Sequence, residues 1–149
     1  MAEPTAAGAP RRPRVRFGIF DWLDQRPAVD LATLFDERLR LVEYADRAGF
    51  TCYHLAEHHS TPLSRAPSPS VFLAAAAQHT CRLRLGTLVY LLPLYHPLRL
   101  IDEICMLDHL SRGRLELGVG RGFLPYDYQT MGVDYATAQE RLYESLEVI

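Results

Sequence analysis

The residues of this 149-residue chain best suited to chemistry lie together in His54-Leu55-Ala56-Glu57-His58, followed at once by His59. The order H-x-x-E-H is that of certain zinc peptidases, whose two imidazoles hold one ion from one face of a helix. On a strand, which rises about 3.3 Å per residue, the same imidazoles stand roughly 13 Å apart and cannot share an ion. Thr51, Cys52 and Tyr53 are poor helix formers and precede the motif. A strand is therefore predicted, with His54 a structural residue buried in the sheet and no metal site. Glu57, His58 and His59 then fall just past the carboxyl end of that strand, the edge at which parallel α/β folds hold ligands and catalytic groups. An imidazole beside a carboxylate can take or give a proton near neutral pH. The plainer alternative is a pair of exposed loop histidines.

A second cluster is Gly118-Val119-Gly120-Arg121-Gly122. Glycines there would let backbone N–H groups approach an anion, and Arg121 adds a charged planar fork, so the cluster points to a phosphate-bearing ligand. The spacing is G-x-G-x-G rather than G-x-G-x-x-G, which disfavours a Rossmann dinucleotide site, and glycines also make tight turns in any fold. Asp21 and Trp22 end an apolar segment, where the indole could wall a planar ligand or simply pack. Pro93 and Pro97 bracket a stiff loop, as strand-ending and helix-opening prolines do.

These residues need a frame. Strands are predicted at 16–20, 51–55, 83–92 and 115–119, each short and apolar. Between them, Asp30 caps a helix with Leu31, Leu34, Phe35, Leu41, Val42, Ala45 and Ala48 on one face, stopped at Gly49. Ser68 and Pro69 open a second helix running to His79. Pro97 opens a third, with Leu100, Ile101, Ile104 and Leu107 on one face and Gly113 beyond it. After a Gly- and Tyr-rich loop, Thr137-Ala138-Gln139-Glu140 reads as a capping box ahead of Leu142, Leu146 and Ile149.

Strands alternating with helices imply a parallel sheet. The units repeat about every 34 residues, and eight of them would come to roughly 270, the usual size of an eight-fold barrel. The expectation is an α/β chain of parallel (β/α) TIM-barrel type, with four units forming a half barrel over 15–149. Residues 1–14 are read as a disordered Ala/Pro/Arg tail. Val148 and Ile149 lie inside the fourth helical pattern with no cap after them, so the half barrel is expected to be truncated there.

Composition narrows the classes. With 48% apolar and 23% charged residues the chain is long enough to bury a core, and its net charge of −2, with both signs interspersed, offers no face to nucleic acid or lipid. Cys52, Cys81 and Cys105 are scattered among apolar residues, which predicts buried thiols in a reducing compartment, the cytoplasm.

Taken together, Ala56-Glu57-His58-His59, Leu85-Gly86-Thr87 running to Leu92-Pro93 and His96-Pro97, Leu107-Asp108 with Ser111-Arg112-Gly113-Arg114, and Gly118 to Gly122 closely resemble the bacterial luciferase-like, flavin-dependent monooxygenases. The resemblance runs from about Arg14 to Ile149 and covers the family's amino-terminal half. It implies a TIM-barrel enzyme that uses reduced FMN, supplied by a separate flavin reductase, and O₂ to oxygenate a small aldehyde-like substrate, working as a homodimer or heterodimer. The isolated half would be inactive. The resemblance also implies that His58 matches the histidine near the reaction centre and Arg121 an arginine of the flavin-phosphate region, beside Gly118, Gly120 and Gly122. Leu88-Val89 matches a non-proline cis peptide under the flavin ring. Gly120 stands where true luciferases carry a reactive cysteine, so oxygenation is expected and light emission is not. Relatives in the same superfamily reduce substrates with deazaflavin F420, and a half barrel could also serve as a non-catalytic remnant or assembly module.

Overall fold

The computed structural model describes residues 15–149, and the expected tail at 1–14 lies outside the described residues. In chain order the elements are β1 (Gly18–Asp21), α1 (Leu31–Ala48), β2 (Cys52–Leu55), α2 (Pro69–His79), β3 (Arg84–Thr87), β4 (Tyr90–Leu91), α3 (Pro97–Ser111), β5 (Leu115–Glu116), β6 (Val119–Gly120), α4 (Pro125–Thr130) and α5 (Ala138–Val148). Strands β1, β2, β3 and β5 form one parallel sheet in that order, and β4 pairs with β6 beyond it. Each strand of the larger sheet lies beside the next in the chain. A doubly wound sheet reverses its order at a switch point, and this one does not. Helices α1, α2 and α3 touch in succession and α3 meets α5, one layer on one face. A singly wound parallel sheet under one helical layer is the wall of a (β/α) barrel, and the described residues build four of its units.

Side chains alternate across such a wall. Tyr53, Leu55 and Leu85 are fully buried under the helices with Leu34, Val42, Leu73 and Leu107, each such side chain stabilising by about 1.5–3 kcal/mol. Phe20, Cys52, His54, Arg84 and Glu116 occupy the opposite face. Asp30 caps α1 by accepting from the Thr33 N–H at 3.0 Å, and Gly49 ends it at φ 86°. Within the last turn of α1, Asp46 is buried and accepts from the N–H groups of Cys81, Arg82 and Leu83 at 3.2, 2.8 and 2.5 Å. Burial pushes its carboxyl upward, but those three hydrogen bonds together outweigh it and hold Asp46 below the usual carboxylate range. Arg114 closes the same end of the wall, donating to the carbonyls of Ala77, Thr80, Leu83 and Ser111.

The structure corrects several sequence expectations. The third strand breaks at Leu88-Val89 into β3 and β4, and the fourth breaks at Leu117-Gly118 into β5 and β6, because β4 and β6 leave the main sheet to pair with each other. The loop after the fourth strand holds a further helix, α4. Thr137 holds the N-cap position of α5 but makes no capping bond: its backbone is helical and its hydroxyl donates to the Asp134 carbonyl, while Asp134 caps a 3₁₀ turn at Tyr135–Thr137 that leads into α5. Leu146 and Ile149 are exposed, and Leu142 alone of that predicted stripe packs inward. The thiols of Cys81 and Cys105 are exposed, since apolar neighbours in sequence point to other sides of a helix or turn. His54 is half-buried rather than buried, on the face away from the helices.

Candidate active site at the carboxyl end of the strands

Beyond β2 the chain turns through Ala56, Glu57 and His58, all buried, before reaching the surface at Ser60. Glu57 and His58 are therefore not a loop exposed to solvent. The Glu57 carboxylate accepts from the Leu91 N–H at 3.1 Å with one oxygen and meets His59 Nε2 at 2.8 Å with the other. It thereby ties the β2 end to β4. That hydrogen bond raises the His59 imidazole above its ordinary value, against the opposing effect of burial. Burial, reinforced by the neighbouring Glu57 charge, also pushes the Tyr95 phenol upward.

His58 lies on the other side of the turn. Its ring meets Trp22 edge-on, with centroids 5.6 Å apart, and Trp22 in turn packs against Phe20 at 6.0 Å. Two sharp backbone turns hold the pair: Leu23, after Trp22, and Ser60, after His59, both have φ 54°, a left-handed conformation that costs a side-chain-bearing residue on the order of 1–3 kcal/mol. Asp127, buried in α4, reaches back to this turn, accepting from the His59 N–H at 3.0 Å and lying 3.4 Å from His58 Nδ1. Nothing in the sequence marked Asp127, because its segment read as loop.

A cavity of about 120 Å³ opens here, lined chiefly by Trp22, His58, Leu88, Val89, Leu91 and Gly122. The Leu88-Val89 peptide bond is cis, as the family resemblance implied. Leu88 still donates to the Leu55 carbonyl at 2.9 Å, and Tyr90 N–H and Thr87 Oγ1 both reach the Gly118 carbonyl, at 2.8 and 2.7 Å. The remaining predicted site residues are dispersed around this point. Gly118 lies so close to Thr87 that an added Cβ would strike the Thr87 carbonyl, and a Cβ on Gly120 would come within 2.8 Å of Val89. Their lack of side chains serves the close approach of β6 to the cis segment. Arg121 points along the rim, its guanidinium donating to the Tyr135 hydroxyl at 3.2 Å and lying 5.2 Å from that ring's centre, while the Tyr128 hydroxyl holds its carbonyl.

The first histidine of the H-x-x-E-H order has a separate role. His54 Nε2 meets Glu116 at 2.8 Å, across β3, at the register position of Gly86. A Cβ on Gly86 would strike the Glu116 carbonyl and come within 2.9 Å of the His54 ring, so only glycine leaves room for this pair. Cys52, His54 and Glu116 bring ligand-type atoms within 4.8 Å of one another. Arg84 already holds the other Glu116 oxygen at 2.6 Å, so His54, Glu116 and Arg84 form one hydrogen-bonded chain. His54 within the sheet and His58 beyond its carboxyl end thus have separate partners, as the separation along a strand required.

Comparison with known proteins gives this geometry its context. The chain is 41% identical to limonene 1,2-monooxygenase of Rhodococcus erythropolis over 136 residues, 91% of this chain and 35% of that protein. It is 37% identical to the oxygenase component of the flavin-dependent trigonelline monooxygenase of Acinetobacter baylyi, over 78% of this chain and 33% of that one. The oxygenating constituent of 3,6-diketocamphane monooxygenase from Pseudomonas putida, solved with FMN, superimposes with a TM-score of 0.83 at 29% identity, covering 89% of this chain and 37% of its own. The chain therefore spans little more than a third of the length of these relatives. No helix among the described residues is long and apolar enough to cross a membrane. With the luciferase-like monooxygenase model matching residues 15–149, the wall, the strand-end histidines and the Leu88-Val89 segment belong together: the chain is a member of the luciferase-like monooxygenase family.

Proposed function

We propose that this protein is a flavin-dependent monooxygenase that uses reduced FMN and O₂ to oxygenate a small organic, aldehyde-like substrate. The observation that carries the reading is the convergence of His58, Trp22 and Leu88-Val89 on one cavity at the carboxyl end of the strands. Support for flavin comes from the relative named as a flavin-dependent oxygenase component and from the one solved with FMN. The former name also supports a separate reductase as electron donor.

The residues present fit a flavin. Leu88, Phe20 and Phe123 leave 49%, 49% and 70% of their surface exposed around the cavity, an apolar shelf of the kind a planar ring covers. Leu88-Val89 would back the ring. Arg121, with the amides of Gly118, Gly120 and Gly122, would hold the phosphate, since one guanidinium contact to Tyr135 leaves the other N–H groups available. Reduced FMN, when bound, supplies the electrons with which O₂ is activated. The chain's own part is to exclude water with Trp22 and the apolar shelf and to move a proton at His58. Phosphate sites of such barrels commonly draw on loops after strands seven and eight, so these four units alone are expected to hold flavin weakly.

Anaerobic titration of the protein with reduced FMN and, separately, with reduced F420 tests the reading. Saturable binding of FMN with little of F420 supports it. Preference for F420 would make the protein a hydride-transfer reductase, and binding of neither would favour a non-catalytic module.

A further inference from the structure

We infer that Asp127 is the positioning residue for His58, fixing its ring with the proton on Nδ1 and the lone pair of Nε2 turned toward the cavity. This deepens the proposed function and rests on it for its catalytic consequence, though not for its structural test.

Asp127 is 2% exposed, and its two oxygens are divided between neighbouring residues, Oδ1 accepting from the His59 N–H at 3.0 Å and Oδ2 facing His58 Nδ1 at 3.4 Å. A carboxylate accepts hydrogen bonds and cannot donate them, so the nitrogen facing it is the one that carries the proton in neutral imidazole. The first contact fixes the backbone from which the ring hangs, and the second fixes the ring. Trp22, edge-on at 5.6 Å, also limits rotation of the ring. Nε2 has no hydrogen-bond partner among the described residues, and His58 lines the cavity.

Glu57, the other buried acid of the turn, cannot do this work. Its oxygens are committed to Leu91 N–H and His59 Nε2. Each of the adjacent histidines therefore has its own carboxylate. His59 is braced through Nε2 by a residue two positions away, and His58 through Nδ1 by a residue 69 positions away on α4. In turnover, His58 Nε2 accepts a proton from the molecule in the cavity, the imidazolium is balanced by Asp127, and the same proton is later returned.

The test is the tautomer, read by long-range ¹H–¹⁵N correlation on histidine-labelled protein without flavin, under conditions where His58 is neutral. The six histidines are assigned with a His58→Gln control. The expected result is His58 protonated at Nδ1 in the unmodified protein, with that bias lost in Asp127→Asn while His54, which Asp127 does not touch, keeps its signals. Protonation at Nε2, or an even mixture, in the unmodified protein would overturn the assignment without reference to any variant, as would a tautomer unchanged in a folded Asp127→Asn. In protein that turns over, Asp127→Asn should lower kcat about 100-fold with KM within a factor of two, and Asp127→Glu should restore part of the loss. Equal losses in both parameters would count against it. A fixed tautomer in protein that binds no reduced FMN would sink the proposed function and leave the Asp127 assignment standing.

Discussion

His58 and His59 show how two identical side chains one residue apart acquire different work. His58 faces the cavity with Trp22, whereas His59 is bound to the fully enclosed Glu57 carboxylate. In protein that turns over, replacing His58 with Ala should reduce turnover by about 10²- to 10⁴-fold while sparing FMN affinity, as steady-state rates and a flavin titration would show. Equal loss of both would remove His58 from the chemistry. His59 should instead register in stability. Its folded value is raised, chiefly by the Glu57 hydrogen bond, so its contribution is complete below the unfolded value of about 6.5 and is lost as pH rises through the higher folded value. The stability gap between the protein and His59→Gln, measured by urea unfolding, should therefore be widest below the unfolded value and should narrow as pH rises through the higher folded one. A gap that does not change with pH would contradict the ion pair.

At the scale of elements, positions are set by contacts between units far apart in the chain. Asp46 joins the end of α1 to the start of β3 through three backbone N–H groups. Asp46→Ala leaves those donors without a partner and should destabilise by about 3 kcal/mol in chemical denaturation. Because its carboxyl is held low in the folded state, this stabilisation is present above the unfolded value and should disappear as pH falls through the lowered one. Gly86 offers a second test. Gly86→Ala drives a methyl group between His54 and Glu116 and should cost about 1–3 kcal/mol, and stability equal to the parent would show that the pair is dispensable. The breaks in the third and fourth strands lay beyond sequence reading for a physical reason. Apolar runs through 83–92 and 115–119 have the composition of continuous strands, and only the pairing of β4 with β6 takes Tyr90-Leu91 and Val119-Gly120 out of the main sheet.

For the whole molecule, β1 and β5 each pair on one side only among the described residues, with Val15 and Phe17 exposed before β1 and Leu117 exposed after β5. Unpaired edges flanked by exposed apolar side chains recruit further strands. Sedimentation velocity of the 149-residue chain should accordingly show dimers or larger species, and a monomer at all concentrations would mean that these edges are protected. The sequence by itself determined the order of strands and helices, the parallel wall, the placement of His58 at a strand end and the separation of His54 from it, because each follows from local periodicity, caps and the rise of a strand. Gly118 to Gly122 stood out by residue type as a place for an anion, whereas Leu88-Val89 was placed only through resemblance. Tertiary structure alone decided that Gly118 and Gly120 are small so that β6 can approach Thr87 and Val89, that Arg121 turns to Tyr135, and that Asp127 and Glu57 each meet one imidazole. Those facts depend on side chains brought together from distant positions, and no local pattern in the chain encodes a distance across 69 residues.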